Sequence, residues 1–323
     1  MLAIKPFIGQ HCETTTTGTL LYQQGIELAE PLLFGLGEGL SFIFWHMKSM
    51  PMPFIGGRVK PDQLTETLAK QLNLKLERQE TSSPTKAWAI VKHWLDQGQV
   101  VGLKLDCFYL EYFSNPIHFA GHYVAIYGYD HDQAYLVDTQ QQGSTVQTSL
   151  ASLAQARAAK GSMASKSLAY TLKPQGSYDL AQAVRQAIIN NAQAYLNPPI
   201  TNVSYKGIRK ASATLQPWFE TSADVEADFC TTALLMERAG TGGSLFRKLY
   251  RDFLAEASTI IAAPQLRQAE LAFTTISADW QKVANLIDQA GKQHDLGAIQ
   301  QASQLMNQIA EQEYATMQLL ATL

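Results

Sequence analysis

The stretch that decides the fold is Gly121-His122-Tyr123-Val124-Ala125-Ile126-Tyr127-Gly128-Tyr129-Asp130, followed by His131-Asp132-Gln133 and Ala134-Tyr135-Leu136-Val137-Asp138. Tyr123 to Tyr129 and Ala134 to Asp138 are rich in β-branched and aromatic residues, and a polar loop of four residues joins them, the signature of a β-hairpin. A histidine stands at the mouth of the first strand and an acid ends the second. With the loop centred near residue 131, position 122 lies opposite position 140. Asp138 then shares a face with position 140, one diagonal step from His122, roughly 7–8 Å away and within imidazole–carboxylate reach. A slip of one residue in register would send Asp138 to the other face.

A hydrogen-bonded histidine and acid invite a search for a nucleophile, and Gly9-Gln10-His11-Cys12-Glu13-Thr14 supplies one. A cysteine that opens a helix feels the positive end of the helix dipole, which favours thiolate. Cys12 would lose its proton to His122, and Asp138 would fix the imidazole tautomer and stabilise the imidazolium. Each residue also has an ordinary reading: a buried thiol, a strand-end histidine, a turn aspartate. Their order along the chain, cysteine on an early helix, histidine on a strand a long way downstream and acid on the next strand, favours the chemical one.

The rest of the first half is mixed. A helix is expected over His11 to Gln24 despite the run Thr14 to Thr17, since threonine is a poor helix former. Further helices are expected over Pro61 to Leu72 and Pro84 to Asp96, and a strand over Val100 to Leu105. Past Lys173-Pro174-Gln175-Gly176-Ser177, which looks like a linker, the composition turns to Ala, Gln, Leu and Glu. Leu180, Ala183, Val184, Ala187 and Ile188 recur at helical spacing, and Pro198-Pro199 stop that helix. Later helices are expected over Val225 to Arg238, Leu245 to Ala262, Leu266 to Gln289 and Leu296 to Leu320, with Gly291 and the Gly240 to Gly243 run as breaks. The fold class is therefore α+β, with a mixed domain over 1–173 and an all-α bundle over 178–323, as a chain of 323 residues allows.

HCET, the stretch LLYQQGIELAEPLLFGLGEGLSFIFW, GHYVAIYGYD and LVDT together resemble the butirosin-biosynthesis H-type family. Its N-terminal part resembles the double-glycine leader peptidase branch of the papain-like fold. Met236-Glu237-Arg238-Ala239-Gly240-Thr241-Gly242-Gly243-Ser244-Leu245-Phe246-Arg247 and Leu249-Tyr250-Arg251-Asp252-Phe253-Leu254 resemble the helical domain fused to it. The resemblance implies a Cys12-His122-Asp138 triad. It implies acyl transfer from the phosphopantetheine thioester of an acyl carrier protein to an amine acceptor, a small molecule or a peptide. The related peptidases place an oxyanion-stabilising glutamine six residues before the cysteine. Pro6 stands there in this chain, Gln10 is the nearest amide, and the Cys12 backbone N–H is a partial donor. Peptidase or amidase chemistry on the same residues, or a binding role on an inactive scaffold, are the competing readings.

Other signals carry less. Glu38, inside Gly35-Leu36-Gly37-Glu38-Gly39, is a buried hydrogen-bonding group or a substrate contact, and its loop is expected close to the cysteine. Arg247 follows the Gly240 to Gly243 turn at a helix start, where a carrier-arm phosphate could bind or a solvated basic face could lie. Cys107 and Cys230 read as core, His118 and His131 as surface loop residues, Trp88 and Trp94 as packing. Three scattered cysteines without a CxxC pair suggest a reducing compartment and no metal. The N-terminus lacks a signal-peptide core, and Leu32 to Trp45, broken by Glu38, is too short for a span of roughly 20 apolar residues. A cytoplasmic protein is expected, with no nucleic-acid partner at a net charge of −3 and with a homodimer plausible through the long C-terminal helices. No cofactor beyond a carrier-borne phosphopantetheine is implied.

Overall fold

The computed structural model describes residues 1–47, 50, 52–161 and 163–323. In chain order its elements begin with α1 (Cys12–Gln23), α2 (Glu30–Leu36), β1 (Leu40–Trp45), β2 (Phe54–Arg58), α3 (Gln63–Gln71), β3 (Leu74–Gln79), α4 (Pro84–Asp96) and β4 (Val101–Leu105). Then follow β5 (His122–Tyr129), β6 (Gln133–Val137), β7 (Thr145–Ser149), α5 (Leu150–Ala158) and β8 (Ala169–Pro174). The helices α6 (Leu180–Leu196), α7 (Ser204–Thr221), α8 (Val225–Arg238), α9 (Arg247–Ile260), α10 (Pro264–Gln293) and α11 (Leu296–Leu320) complete the chain.

Two compact units result, Met1–Leu33 with Pro61–Tyr178, and Phe34–Lys60 with Asp179–Leu323. This differs from a single cut after 173. The β1–β2 pair leaves the first half of the chain and packs against α7 and α8, so the second unit is helical with a two-stranded ribbon added. Lys173 and Pro174 end strand β8 and are not linker residues.

The first unit is built on a six-stranded antiparallel sheet in the order β3-β8-β4-β5-β6-β7. Its central strands are buried on both faces, which is why β4 and the start of β5 read as continuous apolar runs rather than alternating ones. Val91 and Leu95 of α4 and Leu153 of α5 close a core over Val101, Leu103, Val124, Ile126 and Leu136. Pro84 starts α4 as expected, whereas α3 starts at Gln63, after Asp62 takes a left-handed φ of 74°.

Helix α1 is buried from Cys12 through Leu21, including four consecutive threonines. Poor propensity is overridden by burial, with partners for some hydroxyls: Thr14 Oγ1 donates to His11 O and Thr17 Oγ1 meets Thr65 Oγ1 and Tyr170 Oη at 3.0 and 3.1 Å, while Thr15 and Thr16 Oγ1 are buried with no hydrogen bond among the described residues.

In the second unit α10 and α11 pack on each other, α10 also on α8 and α9, and α11 on α6 and α7. Gly291 does not break α10. It lies inside the helix against Cys230 and Phe229, where a side chain would not fit. Among the described residues no helix is long and apolar enough to cross a membrane.

Candidate active site

Cys12 is the first residue of α1 and is 8% exposed. His11 caps the helix, its Nδ1 accepting from Thr14 N–H at 3.3 Å. His11 is thereby occupied with the backbone. The approach to the cysteine is held by Glu30. Its carboxylate accepts from the backbone N–H of Gln10 at 2.9 Å and of His11 at 2.9 Å, and from Thr14 Oγ1 at 2.7 Å. Gly9 makes this close approach possible, because a Cβ there would meet Thr15 Oγ1 at 2.6 Å and Glu30 Oε1 at 2.9 Å. Gly9 O in turn accepts from Gln140 N–H at 2.8 Å, which ties the cysteine loop to the loop after Asp138.

His122 opens β5 opposite Leu105 and is buried. Its Nε2 lies 2.8 and 3.0 Å from the two Asp138 oxygens. The Cys12 side chain lies within electrostatic reach of the same imidazole. With Nε2 held by Asp138, Nδ1 is the nitrogen left to face the sulfur. Burial pulls His122 down. The charge and hydrogen bond of Asp138, with a smaller contribution from Cys12, outweigh it and hold the imidazole well above its ordinary range. The edge of the Phe113 ring packs on the imidazole, with centroids 5.5 Å apart.

Asp138 is fully buried and takes two more donors: Thr139 N–H at 2.6 Å and Tyr112 Oη at 2.7 Å. Burial and the adjacent carboxylate both raise Tyr112 well above a free phenol, so it stays a donor. Neither Tyr112 nor Glu30 was singled out from sequence. Tyr112 sits in the irregular segment between β4 and β5, where no periodicity marks it.

The register explains how Asp138 reaches His122. At the loop end Tyr129 pairs with Ala134 and Gly128 with Tyr135. Beyond a bulge Ile126 pairs with Leu136 and Ala125 with Val137. The extra residue, Tyr127, shifts the ladder by one, which puts positions 138 and 122 on one face. Without it Asp138 would face away.

Cys107 is buried, which pushes its thiol up, and it lies within electrostatic reach of His122, Cys12 and Asp138. Cys230 is half-buried against Asp288 O. His118 packs flat on Phe108 and bonds the buried Asp106, so it is more ordered than a loop histidine need be.

The Gln10 side chain is exposed and makes no hydrogen bond among the described residues, so nothing preorganises its amide as an oxyanion donor. Glu38 lies in the second unit, where it accepts from Asn190 Nδ2 at 2.8 Å; its loop packs Gly35 on Phe253. Arg247 is neither solvated nor open to an anion. It is fully buried, with Nε and Nη2 on the Glu313 carboxylate at 2.8 and 2.9 Å and Nη1 on Leu245 O and Gly57 O. Burial pulls its pKa down, but Glu313 wins and raises it. No group of three or more His, Cys, Asp or Glu that could hold a metal occurs among the described residues.

The family described as "Butirosin biosynthesis protein H, N-terminal" matches residues 11–139, a span that starts one residue before Cys12 and ends one after Asp138. A second family, "Domain of unknown function (DUF4872)", matches residues 151–320, over half of the chain. No curated protein matches. With both matches in this order, the chain belongs to the butirosin-biosynthesis H-type family, its N-terminal domain fused to the helical C-terminal domain.

Proposed function

We propose that the chain is a cysteine-dependent acyltransferase of antibiotic or other specialised-metabolite biosynthesis, working in the cytoplasm. In this reading it moves an acyl or aminoacyl group from a carrier-protein thioester to an amine. The observation that carries the proposal is the buried His122–Asp138 pair, its carboxylate further fixed by Tyr112 and Thr139 N–H, with Cys12 within electrostatic reach of the imidazole. The biosynthetic setting rests on the name of the family that matches residues 11–139.

The Cys12 sulfur, its proton taken by His122, adds to the thioester carbonyl. The Cys12 N–H, in the first turn of α1 where no intrahelical acceptor exists, faces the developing oxyanion. Collapse expels the phosphopantetheine thiolate, to which the His122 imidazolium gives its proton. An amine then adds to the acyl-Cys12 thioester, His122 takes the proton the amine loses, and the amide leaves as that proton returns to the Cys12 sulfur. Asp138 stays ionised and steadies the imidazolium in both halves.

The test is intact-protein mass spectrometry after exposure to a panel of acyl-carrier thioesters. The proposal expects a mass gain of one acyl group, absent in Cys12→Ala, and discharged faster by amines than by water. Discharge by water alone would assign a thioesterase or amidase. No acyl adduct with any donor would favour a binding role on an inactive scaffold.

A further inference from the structure

Among the described residues two arginines are almost completely buried, and they are treated differently. Arg247 is matched by Glu313. Arg157, in the last turn of α5, is 4% exposed and has no such partner. Its Nη1 donates to Ala87 O at 3.1 Å and its Nη2 to Ser167 O at 3.0 Å, both neutral carbonyls. Its Nε is buried and has no hydrogen-bond partner among the described residues. Burial alone pushes the guanidinium down to about 10, with no nearby carboxylate to offset it. A buried charge is costly unless an opposite charge answers it.

Beside this side chain lies a cavity of about 340 Å³, walled by Ala87, Trp88, Leu150, Leu153 and Ala154. Pro84, the first residue of α4, also lines it, so the positive end of that helix dipole adds to the field of the guanidinium. The volume lies at the small end of ordinary ligand sites, roughly 300–1,000 Å³, and the walls are apolar apart from Arg157 and Ser167. We infer that this cavity binds a small organic carboxylate, with the anionic head on Arg157 and a short hydrocarbon or aromatic body against Trp88, Leu150 and Leu153. The guanidinium carries five N–H groups and the two carbonyls take two of them, so donors remain for a carboxylate oxygen, and the apolar walls suit a body that water would not fill. Nothing in this site uses Cys12, so it stands whether or not the acyl-transfer proposal does.

The test titrates the full chain at pH 7 with benzoate and hexanoate, followed by calorimetry and by the fluorescence change at Trp88. Benzyl alcohol and hexanol serve as neutral isosteres, and inorganic phosphate as an anion without a body. Saturable binding of a carboxylate at about 1 mM or tighter is expected, with the isosteres at least about tenfold weaker. Ala154→Phe places a ring in the cavity from an exposed helix position and leaves Arg157 intact, so it should fold and weaken binding about tenfold or more. Arg157→Lys keeps the charge but not the fork and should also weaken it. Failure of both carboxylates to saturate, equal binding of the isosteres, or full retention in Ala154→Phe overturns the assignment. Saturation by phosphate alone overturns it too.

Discussion

Consider replacing Arg247 by Met. The guanidinium is fully buried and makes two hydrogen bonds to the Glu313 carboxylate, while its plane lies over Trp280 with 5.2 Å to the ring centroid. Glu313 also accepts from Trp280 Nε1 at 2.8 Å and from Tyr195 Oη. Methionine fills most of the volume, so the loss is electrostatic: Glu313 stays in the interior with two neutral donors and no counter-charge. Removing one partner of a buried pair costs about 3–5 kcal/mol. Arg247 Nη1 also holds Leu245 O, in a turn where Ser244, Leu245 and Phe246 take φ of 51°, 48° and 71°, a region side chains avoid. A loss of about 4 kcal/mol, close to a thousandfold in the folding equilibrium, is therefore expected. Glu313→Gln in the Arg247→Met background keeps an acceptor for Tyr195 and Trp280 without the charge, and should recover about half of it. Urea unfolding followed by tryptophan fluorescence measures all four corners of the cycle. A single-variant loss below about 1 kcal/mol, or no coupling between the two substitutions, refutes the reasoning. The same variants decide between structure and substrate: the double variant, once folded, should still modify Cys12 at the parent rate.

Tyr112→Phe removes one donor to a buried carboxylate, and hydrogen bonds to charged groups are worth about 1.5–3 kcal/mol. Alkylation of Cys12 should slow by about tenfold or more, with a shifted pH profile and an unchanged circular dichroism spectrum. Asp138→Asn keeps the shape but removes the charge that holds His122 protonated, and turnover should fall by about 10³–10⁴-fold in single-turnover assays. His122 is raised on folding above about 6.5, its unfolded value, so its contribution to stability is complete below that pH. That contribution is lost as pH rises through the higher folded value. Urea midpoints of the parent should therefore decline above pH 6.5 more steeply than those of His122→Gln, and parallel curves would contradict this. Gly9→Ala drives a methyl into Thr15 and Glu30 and should cost about 1–3 kcal/mol by the same assay, with loss of preferential labelling at Cys12.

Periodicity carried much of the fold. Pro84 at the start of α4, the β5–β6 hairpin and most of the late helices are legible because local pattern and tertiary burial agree. The ribbon β1–β2 was not. Its LSFIFW run is apolar enough to pass for core anywhere, and only the packing against α7 assigns it to the second unit. At the site, residue order along the chain pointed to Cys12, His122 and Asp138, but the reckoned register held for a reason the sequence hides. The loop alone sets a ladder that would turn Asp138 away, and the bulge at Tyr127 turns it back. Tyr112 and Glu30 were illegible because each acts across an irregular segment, where spacing says nothing about which side chains meet. Arg247 misled for a related cause: a glycine-rich turn before a helix suggests an anion site, while the acid that neutralises this arginine stands far along the chain on α11.

The most direct measurement is the rate of alkylation of each of the three thiols by iodoacetamide at pH 7, read by peptide mass spectrometry. Burial raises Cys107 and Cys230, so both should react slowly. Cys12, beside the His122 imidazole, should react at least about a hundredfold faster, and lose that advantage in His122→Gln. Equal and slow labelling of all three, unchanged by loss of His122, would contradict the proposal that this imidazole activates the sulfur.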